Sequence, residues 1–433
     1  MLLEFKGRNY KSFKDEFVFS LIPTGKKGLD YSIMEKQIDR KKYKGLSSAV
    51  IYGPNASGKT NIISAMDTFK KIILRGHINN ITDSDINASA NNLELIPNVH
   101  SDEPTFFEIK FTTENYFVDY ILEIDLGSFL DEKYERKVVS ENLIINNKSV
   151  FNRSFQKIEV SNTKYLNKKT RNNNIFTIAN EIANYSAKET DIFLTNGFKT
   201  IFNSKLVSEI TNWFENNLKI FIRADAIRAN PFINNHKQLD YFFDKHIDDA
   251  LNEFGVHNSK VAYKAEENNE TRLVSIIEVK NSIRAIPADF FESYGTQRFI
   301  NEFPLILSAF KNGGTLIVDE FDASLHPMAL MSIINAFHND ELNINHAQLI
   351  FNTHNPIFLN HSLFRRDEIK FVEFENDTSV TYSLSDFNTS ETSGTRTNSD
   401  YMKNYFVNRY GAISDIDFSD VIASIVKIDV EEK

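Results

Sequence analysis

The stretch "SSAVIYGPNASGKTNIISAM", Ser47 to Met66, decides the reading of the whole chain. Its first part is a short apolar run, which reads as a buried strand. Its last part carries the apolar spacing of a helix. Between them "GPNASGKT", Gly53 to Thr60, matches the pattern G-x-x-x-x-G-K-[ST] in the strand–loop–helix setting that this pattern needs to hold phosphate. Gly53, Pro54, Asn55, Ala56, Ser57 and Gly58 would form a loop whose backbone N–H groups, with the start of the helix, face phosphate oxygens. Lys59 would reach the β and γ oxygens of ATP. The Thr60 hydroxyl would bind Mg²⁺, and Asn61 completes the nucleotide-binding set.

A phosphate cradle hydrolyses nothing without a metal ligand and a group that orients water. "TLIVDEFDASLHP", from Thr315, supplies four residues of buried strand ending in two adjacent carboxylates. Beside a phosphate loop, Asp319 can hold the Mg²⁺ shell while Glu320 orients and polarises the attacking water. A later strand, "AQLIFNTH", ends in Thr353 and His354, where a donor to a γ-phosphate would have to stand. Histidine also begins loops for ordinary packing reasons. His326, His338, His346 and His361 show no metal-ligand spacing and are expected at the surface.

Just before the acidic strand lies "ESYGTQRF", Glu292 to Phe299. Ser293 can cap the helix that follows, with Gly295 easing the entry. The same Ser hydroxyl and free backbone N–H groups also make an anion site. Arg298 either meets phosphate or covers Glu302, four residues on.

Four regions follow from the patterning. Residues 1–90 read as a lobe containing the phosphate loop, opened by a hairpin of "LLEFKG" and "EFVFSLI" and a lysine-rich connection, Lys26 to Lys44. Residues 91–145 contain "TFFEIKFT" and "YFVDYILEIDL", an antiparallel meander. Residues 146–285 read as a mixed, mainly helical insertion, amphipathic between about 175 and 255, with Trp213 expected in packing. Residues 286–433 alternate strand and helix, so the strands ending at Gly53, Glu320 and His354 are expected to share one parallel sheet. The segment 388–400 reads as a loop.

With 433 residues, 41% hydrophobic and 25% charged, the chain is globular and larger than one small domain. A net charge of −10 gives no support to non-specific nucleic-acid coating. The lack of cysteine excludes disulfides, thiolate metal sites and a cysteine nucleophile. No signal peptide and no run of 18 apolar residues stands in the sequence. A soluble, cytoplasmic protein without a membrane partner is expected.

The order of phosphate loop, Ser-x-Gly, two carboxylates and His resembles the ATP-binding-cassette ATPases, including the Rad50, SMC and RecF branch. The resemblance implies an α/β P-loop NTPase with an ABC-type head, an N-terminal antiparallel β subdomain and a helical insertion. It implies that Ser293, Gly295, Thr296 and Arg298 act in trans on ATP held by a second copy, in a head-to-tail dimer or higher oligomer. Glu320 would be the catalytic base, His354 the switch histidine and Lys59 the phosphate lysine. Thr296 replaces the second glycine of the signature, His326 stands where the cassette's D-loop often has Asp, and Asn355 replaces the Asp expected after the switch histidine. No glutamine among Gln37, Gln156, Gln238, Gln297 and Gln348 is placed as a Q-loop.

A closer resemblance, carried by "NYKSFKD", "GPNASGKTN", "SYGTQRF", "DEFDASLHP", "FRRDEIKFVE" and "RYGAI", is to the AAA family proteins of bacterial restriction-linked and abortive-infection loci. These are the RloA-like and AbiLi-like proteins, with the ATPase half of the PARIS anti-phage system similar. It implies a defence ATPase that senses a phage-encoded trigger and controls a separate toxic effector, often a nuclease of TOPRIM type. After His354 no Glu strand followed by an Asp-x-Asp pair appears, so a built-in nuclease of that type is not expected. A second reading is a RecF-type DNA-binding repair ATPase, with Lys6, Arg8, Lys11 and Lys14 offered to DNA phosphates.

Overall fold

The computed structural model of the chain describes residues 1–25, 28–79, 93–129, 131, 134–167, 175–222, 241–256, 260–265, 271–279, 282–323, 325–387, 396, 399–414, 416–419 and 421–423. Gln238, the start of the amphipathic run before 241, the basic residues at 168–174, most of the 388–400 loop and the tail from 424 lie outside the described residues.

The first strands are β1 (Leu2–Arg8), β2 (Phe17–Ser20), β3 (Ile33–Ile38), β4 (Lys41–Leu46) and β5 (Ser48–Tyr52), followed by helix α1 (Lys59–Arg75). Next come β6 (Thr105–Thr112), β7 (Phe117–Asp125), β8 (Lys137–Ile145), β9 (Lys148–Ser154) and β10 (Lys157–Val160). The middle of the chain holds α2 (Ile175–Tyr185), α3 (Phe198–Ile201), α4 (Ser204–Asn212), β11 (Leu218–Phe221), β12 (Tyr241–Phe242) and α5 (Lys245–Glu253). Strands β13 (Lys260–Ala265), β14 (Thr271–Val279) and β15 (Ser282–Pro287) lead into α6 (Ala288–Phe291) and the long α7 (Tyr294–Asn312). The remainder is β16 (Thr315–Val318), α8 (Pro327–His338), β17 (Gln348–Asn352), β18 (Ile369–Glu375), β19 (Thr378–Ser383) and α9 (Tyr401–Phe406).

The central sheet has the order β11-β16-β17-β5-β18-β19, parallel except for the last pair. Every residue of β5, β16 and β17 is buried, as a parallel sheet covered on both faces requires. Strand alternation sends Ala49, Ile51, Ile317 and Ile350 to one core, shared with α1 and the N-terminal strands. It sends Val50, Tyr52, Leu316, Val318, Leu349 and Phe351 to a second core, shared with α7 and α8. The expectation that the strands ending at Gly53, Glu320 and His354 share a sheet is borne out.

The second large sheet is antiparallel, order β10-β9-β8-β7-β6-β1-β2. Its buried face is rich in phenylalanine: Phe5 packs on Phe69 of α1 with ring centroids 5.8 Å apart and on Phe107 at 6.0 Å. Trp213 is a packing residue, stacked on Phe111 at 3.8 Å.

Three readings of the sequence need correction. The boundary at 145/146 falls inside a hairpin: Asn146 and Asn147 both take positive φ, 51° and 61°, the turn geometry that joins β8 directly to β9. β9 and β10 therefore belong to the N-terminal sheet rather than to an insertion. Nor does the rest of 146–285 stand apart as a mainly helical unit, because β11 forms the edge of the central sheet and β12-β13-β14-β15 form an antiparallel sheet of their own. The connection Lys26 to Lys44 contains the β3–β4 hairpin, pinned by Met34, Ile38 and Tyr43 against Met1, Leu3 and Phe117. Finally, His338 is not a surface group. It is 1% exposed, with Nε2 2.7 Å from Ser48 Oγ and 3.2 Å from Glu368 Oε1.

Candidate nucleotide site

β5 ends at Tyr52 and α1 starts at Lys59, so "GPNASG" turns the chain at the carboxyl end of a parallel strand. The turn is fixed by close approaches. Gly58 has φ 108°, and a Cβ there would meet Ser379 Oγ at 2.5 Å and Ser12 Oγ at 2.8 Å. A Cβ on Gly53 would lie 2.2 Å from the Val372 carbonyl oxygen. Ser12, from the quoted "NYKSFKD", and Ser379, which no motif marks, form a brace: Ser379 Oγ donates to the Ser57 carbonyl at 2.6 Å, and Asn61 Nδ2 donates to Ser12 Oγ at 2.7 Å. Pro54 is half-buried, Asn55 and Ala56 are exposed at the tip, and Ala56 takes φ 61°.

Lys59 is buried, and its ammonium donates to the carbonyls of Gly53 at 2.8 Å and Pro54 at 2.7 Å. Burial pulls its pKa down to about 8, against the opposing charges of Asp319 and Glu320. Thr60 Oγ1 lies 3.1 Å from Asp319 Oδ1 and 3.3 Å from Oδ2. A hydroxyl and a carboxylate converging in this way are hard oxygen donors, the kind Mg²⁺ accepts. The buried Ser57 hydroxyl has no hydrogen-bond partner among the described residues, an orphan that a phosphate oxygen would satisfy. The residues present therefore fit a Mg²⁺-bound nucleotide.

Asp319 and Glu320 follow β16 directly. The Asp319 N–H donates to the Phe221 carbonyl at 2.9 Å, so the edge strand from the middle of the chain helps to place it. Burial raises the pKa of Asp319, while hydrogen bonds from Asn352 and Thr60 oppose the rise. Glu320 is exposed and adopts φ 52°, a left-handed conformation that costs a non-glycine residue about 1–3 kcal/mol. Two side chains hold it there. Asn352 accepts the Glu320 N–H, and Arg298 donates to the Glu320 carbonyl at 2.5 Å. Asn352 also donates to Asp319 Oδ1.

His354 follows β17 and is exposed. Surrounding protein lowers its pKa, and the Lys59 charge adds to the effect. The next turn is anchored by Tyr52, whose hydroxyl donates to the Asn355 carbonyl at 3.1 Å, and by Thr353, whose Oγ1 accepts the Asn355 N–H at 2.9 Å.

On α7 the helix-cap reading is what the structure has: Ser293 Oγ accepts the Thr296 N–H at 3.1 Å and lies 2.8 Å from the Thr296 hydroxyl. Ser293 is exposed, Gly295 half-buried and Thr296 buried. Among the described contacts none joins Ser293 to the phosphate loop, to Asp319 or to His354 of its own chain. Of the two readings of Arg298, the structure has the cover of its acidic neighbour: Arg298 is 5% exposed and points inward, its Nε 2.7 Å from Glu302 Oε1. Burial lifts the Glu302 pKa to about 7 despite that guanidinium.

The glutamines left unplaced by sequence stay away from the phosphate loop. Gln348 is buried between Leu2, Leu46 and Thr315, Gln297 donates to Ala288 and Glu292, Gln156 to Glu189, and Gln37 to Asp39. Three of the four cations offered to DNA are already paired: Lys6 with Glu108 at 2.9 Å, Arg8 with Glu103 at 3.2 Å, and Lys11 with Glu94 at 2.5 Å.

Residues 48–360 match the family model described as "AAA domain, putative AbiEii toxin, Type IV TA system". No curated protein matches the chain. Among solved structures, the chain is similar to the "SMC head domain from Thermotoga maritima", at 14% identity and TM-score 0.36, over 88% of this chain and 98% of that one. It is likewise similar to an Smc head domain from Pyrococcus furiosus with an extended coiled coil bound to the C-terminal domain of ScpA, at 11% identity and TM-score 0.38, over 88% and 96%. At such scores these likenesses carry no argument about activity. No helix among the described residues is long and apolar enough to cross a membrane.

Proposed function

The chain belongs to that AAA-domain family and has the α/β fold of a P-loop NTPase with an ABC-type head, and on this premise we propose that it binds and hydrolyses ATP as the nucleotide-gated subunit of a bacterial anti-phage defence system. In this reading it controls a separate toxic effector, a nuclease of TOPRIM type or another class. The observation that carries the ATPase reading is the convergence of Thr60 and Asp319 at 3.1 Å beside the orphan hydroxyl of Ser57. The toxin–antitoxin description of the family supports the defence setting.

Phosphates would sit on the backbone N–H groups that open α1, a helix of 17 residues whose dipole favours anions. Lys59 would exchange its bonds to the Gly53 and Pro54 carbonyls for phosphate oxygens. Thr60 and Asp319 would hold Mg²⁺, which neutralises charge on the β and γ phosphates when bound. Glu320, exposed at the mouth, would orient water and accept its proton. His354, with its pKa lowered, is neutral at pH 7 and would donate one N–H to the transferred phosphoryl group. Ser293 lies free of the site of its own chain, which suits closure over nucleotide held by a second copy. Gly295 and Thr296 line the same helix start.

The test is assembly. With Glu320→Gln, ATP should drive dimer or higher-oligomer formation detectable by light scattering. If ATP never changes the mass of this variant, the trans arrangement is wrong. Ser293→Arg should abolish turnover and leave ATP binding nearly intact, whereas loss of binding would put Ser293 in cis.

A further inference from the structure

We propose that Asn352 is a positioning residue for both acids of the site, aiming the Asp319 carboxylate and setting the Glu320 backbone with a single amide group. The inference rests on the ATPase reading above. Asn352 lies in the stretch "AQLIFNTH", where the sequence gives roles to Thr353 and His354 and none to this residue. It ends β17, one step beyond the Val318–Phe351 pair of the β16–β17 ladder, which puts it opposite the two acids. It is 1% exposed.

Its orientation is dictated by chemistry. The Glu320 N–H can only donate, so the Asn352 oxygen must face it; the Asn352 nitrogen then faces Asp319 Oδ1, which can only accept when ionised. The structure has this arrangement on both sides. Asp319 is thereby restrained beside Thr60, since rotating its carboxylate away breaks the amide contact. Glu320, in its left-handed conformation, is held at its N–H by Asn352 and at its carbonyl by Arg298.

Few other residues could do both jobs. Aspartate could accept from Glu320 but would set a second negative charge against Asp319 and donate nothing. Leucine would leave the Glu320 N–H without its acceptor and take from Asp319 Oδ1 one of its two hydrogen bonds, leaving only the one from Thr60. The group that supports both acids at once thus lies two residues before His354.

The experiment uses the purified full chain with Asn352→Asp, close to isosteric, and Asn352→Leu. Three quantities are read: kcat and KM for ATP, affinity for a fluorescent ATP analogue with Mg²⁺ and with EDTA, and the thermal midpoint. For Asn352→Asp a 10- to 100-fold fall in kcat is expected, with loss of the Mg²⁺-dependent gain in affinity and unchanged binding in EDTA. Wild-type kcat and a wild-type Mg²⁺ gain in Asn352→Asp would overturn the proposal. So would equal losses of binding with and without Mg²⁺ in a folded variant, because that is a merely structural role. If Asn352→Leu does not fold, Asn352→Asp still decides. A wild-type protein with neither hydrolysis nor a Mg²⁺ gain would instead sink the ATPase reading itself.

Discussion

Arg298, in the second turn of α7, donates a hydrogen bond to the main-chain carbonyl of Glu320 at 2.5 Å. The helix that Ser293 caps is therefore tied to Glu320 of its own chain. Its free end is exposed and its inner face is committed. Any displacement of α7, such as closure over a second copy's nucleotide, would pull on Glu320.

That tie predicts a separation of stability from turnover. Arg298→Met leaves the buried Glu302 carboxyl without its guanidinium partner; the carboxyl then protonates at neutral pH, and a loss of about 1–3 kcal/mol is expected in urea denaturation. Adding Glu302→Leu removes the unpaired buried carboxyl and should restore most of that stability. ATP turnover should stay low in the double variant, because the Glu320 carbonyl still lacks its donor. Full turnover in the double variant would mean that the contact is only structural.

Glu302 also predicts a pH dependence. Its pKa in the folded chain is about 7 against an ordinary 4.5, because burial disfavours the carboxylate. Its contribution to stability is thus fully present below about pH 4.5 and is lost as pH rises through 7. The thermal midpoint of the wild type should fall between pH 5 and pH 7 more steeply than that of Glu302→Gln. Parallel curves for the two proteins would refute the assignment.

Lys59 should affect binding without supporting the fold. Its ammonium is buried at a cost, visible in a pKa drawn down to about 8. Lys59→Met is expected to weaken ATP binding at least tenfold, about 1.4 kcal/mol, in calorimetric titration. The melting temperature should match or exceed that of the wild type. A large drop would show that the bonds to Gly53 and Pro54 hold the loop in shape.

Gly58→Ala tests the brace behind the loop. The new Cβ would sit 2.5 Å from Ser379 Oγ at a φ of 108°. A loss of about 1–3 kcal/mol of stability is expected, together with weakened ATP binding. Pairing the change with Ser379→Ala should recover part of both; no recovery would locate the strain in the backbone angle alone.

The phosphate loop, the acid pair and the strand alternation of the central sheet were legible in the residues themselves. Each is a local pattern: a glycine-bounded turn between a β-branched strand and a helix, four apolar residues ending in two carboxylates, a period of two. Local chemistry also announced Ser293 as a helix cap. What sequence could not supply is contact across long separations. Ser12 and Ser379 meet behind the loop although they stand 367 positions apart in the chain, and no spacing rule connects them. β11 joins the central sheet because Leu218–Phe221 pairs in parallel with Thr315–Val318, a register fixed by two shared cores rather than by its own four residues. His338 reads as polar, yet it is buried, with Ser48 and Glu368 both facing its Nε2. The sequence by itself determined which groups could handle phosphate and metal, since that depends on residue type and short spacing. Only the tertiary structure decided which groups hold them in place, inward-facing Arg298 and two-handed Asn352 among them, because burial and hydrogen-bond partners belong to the packed chain.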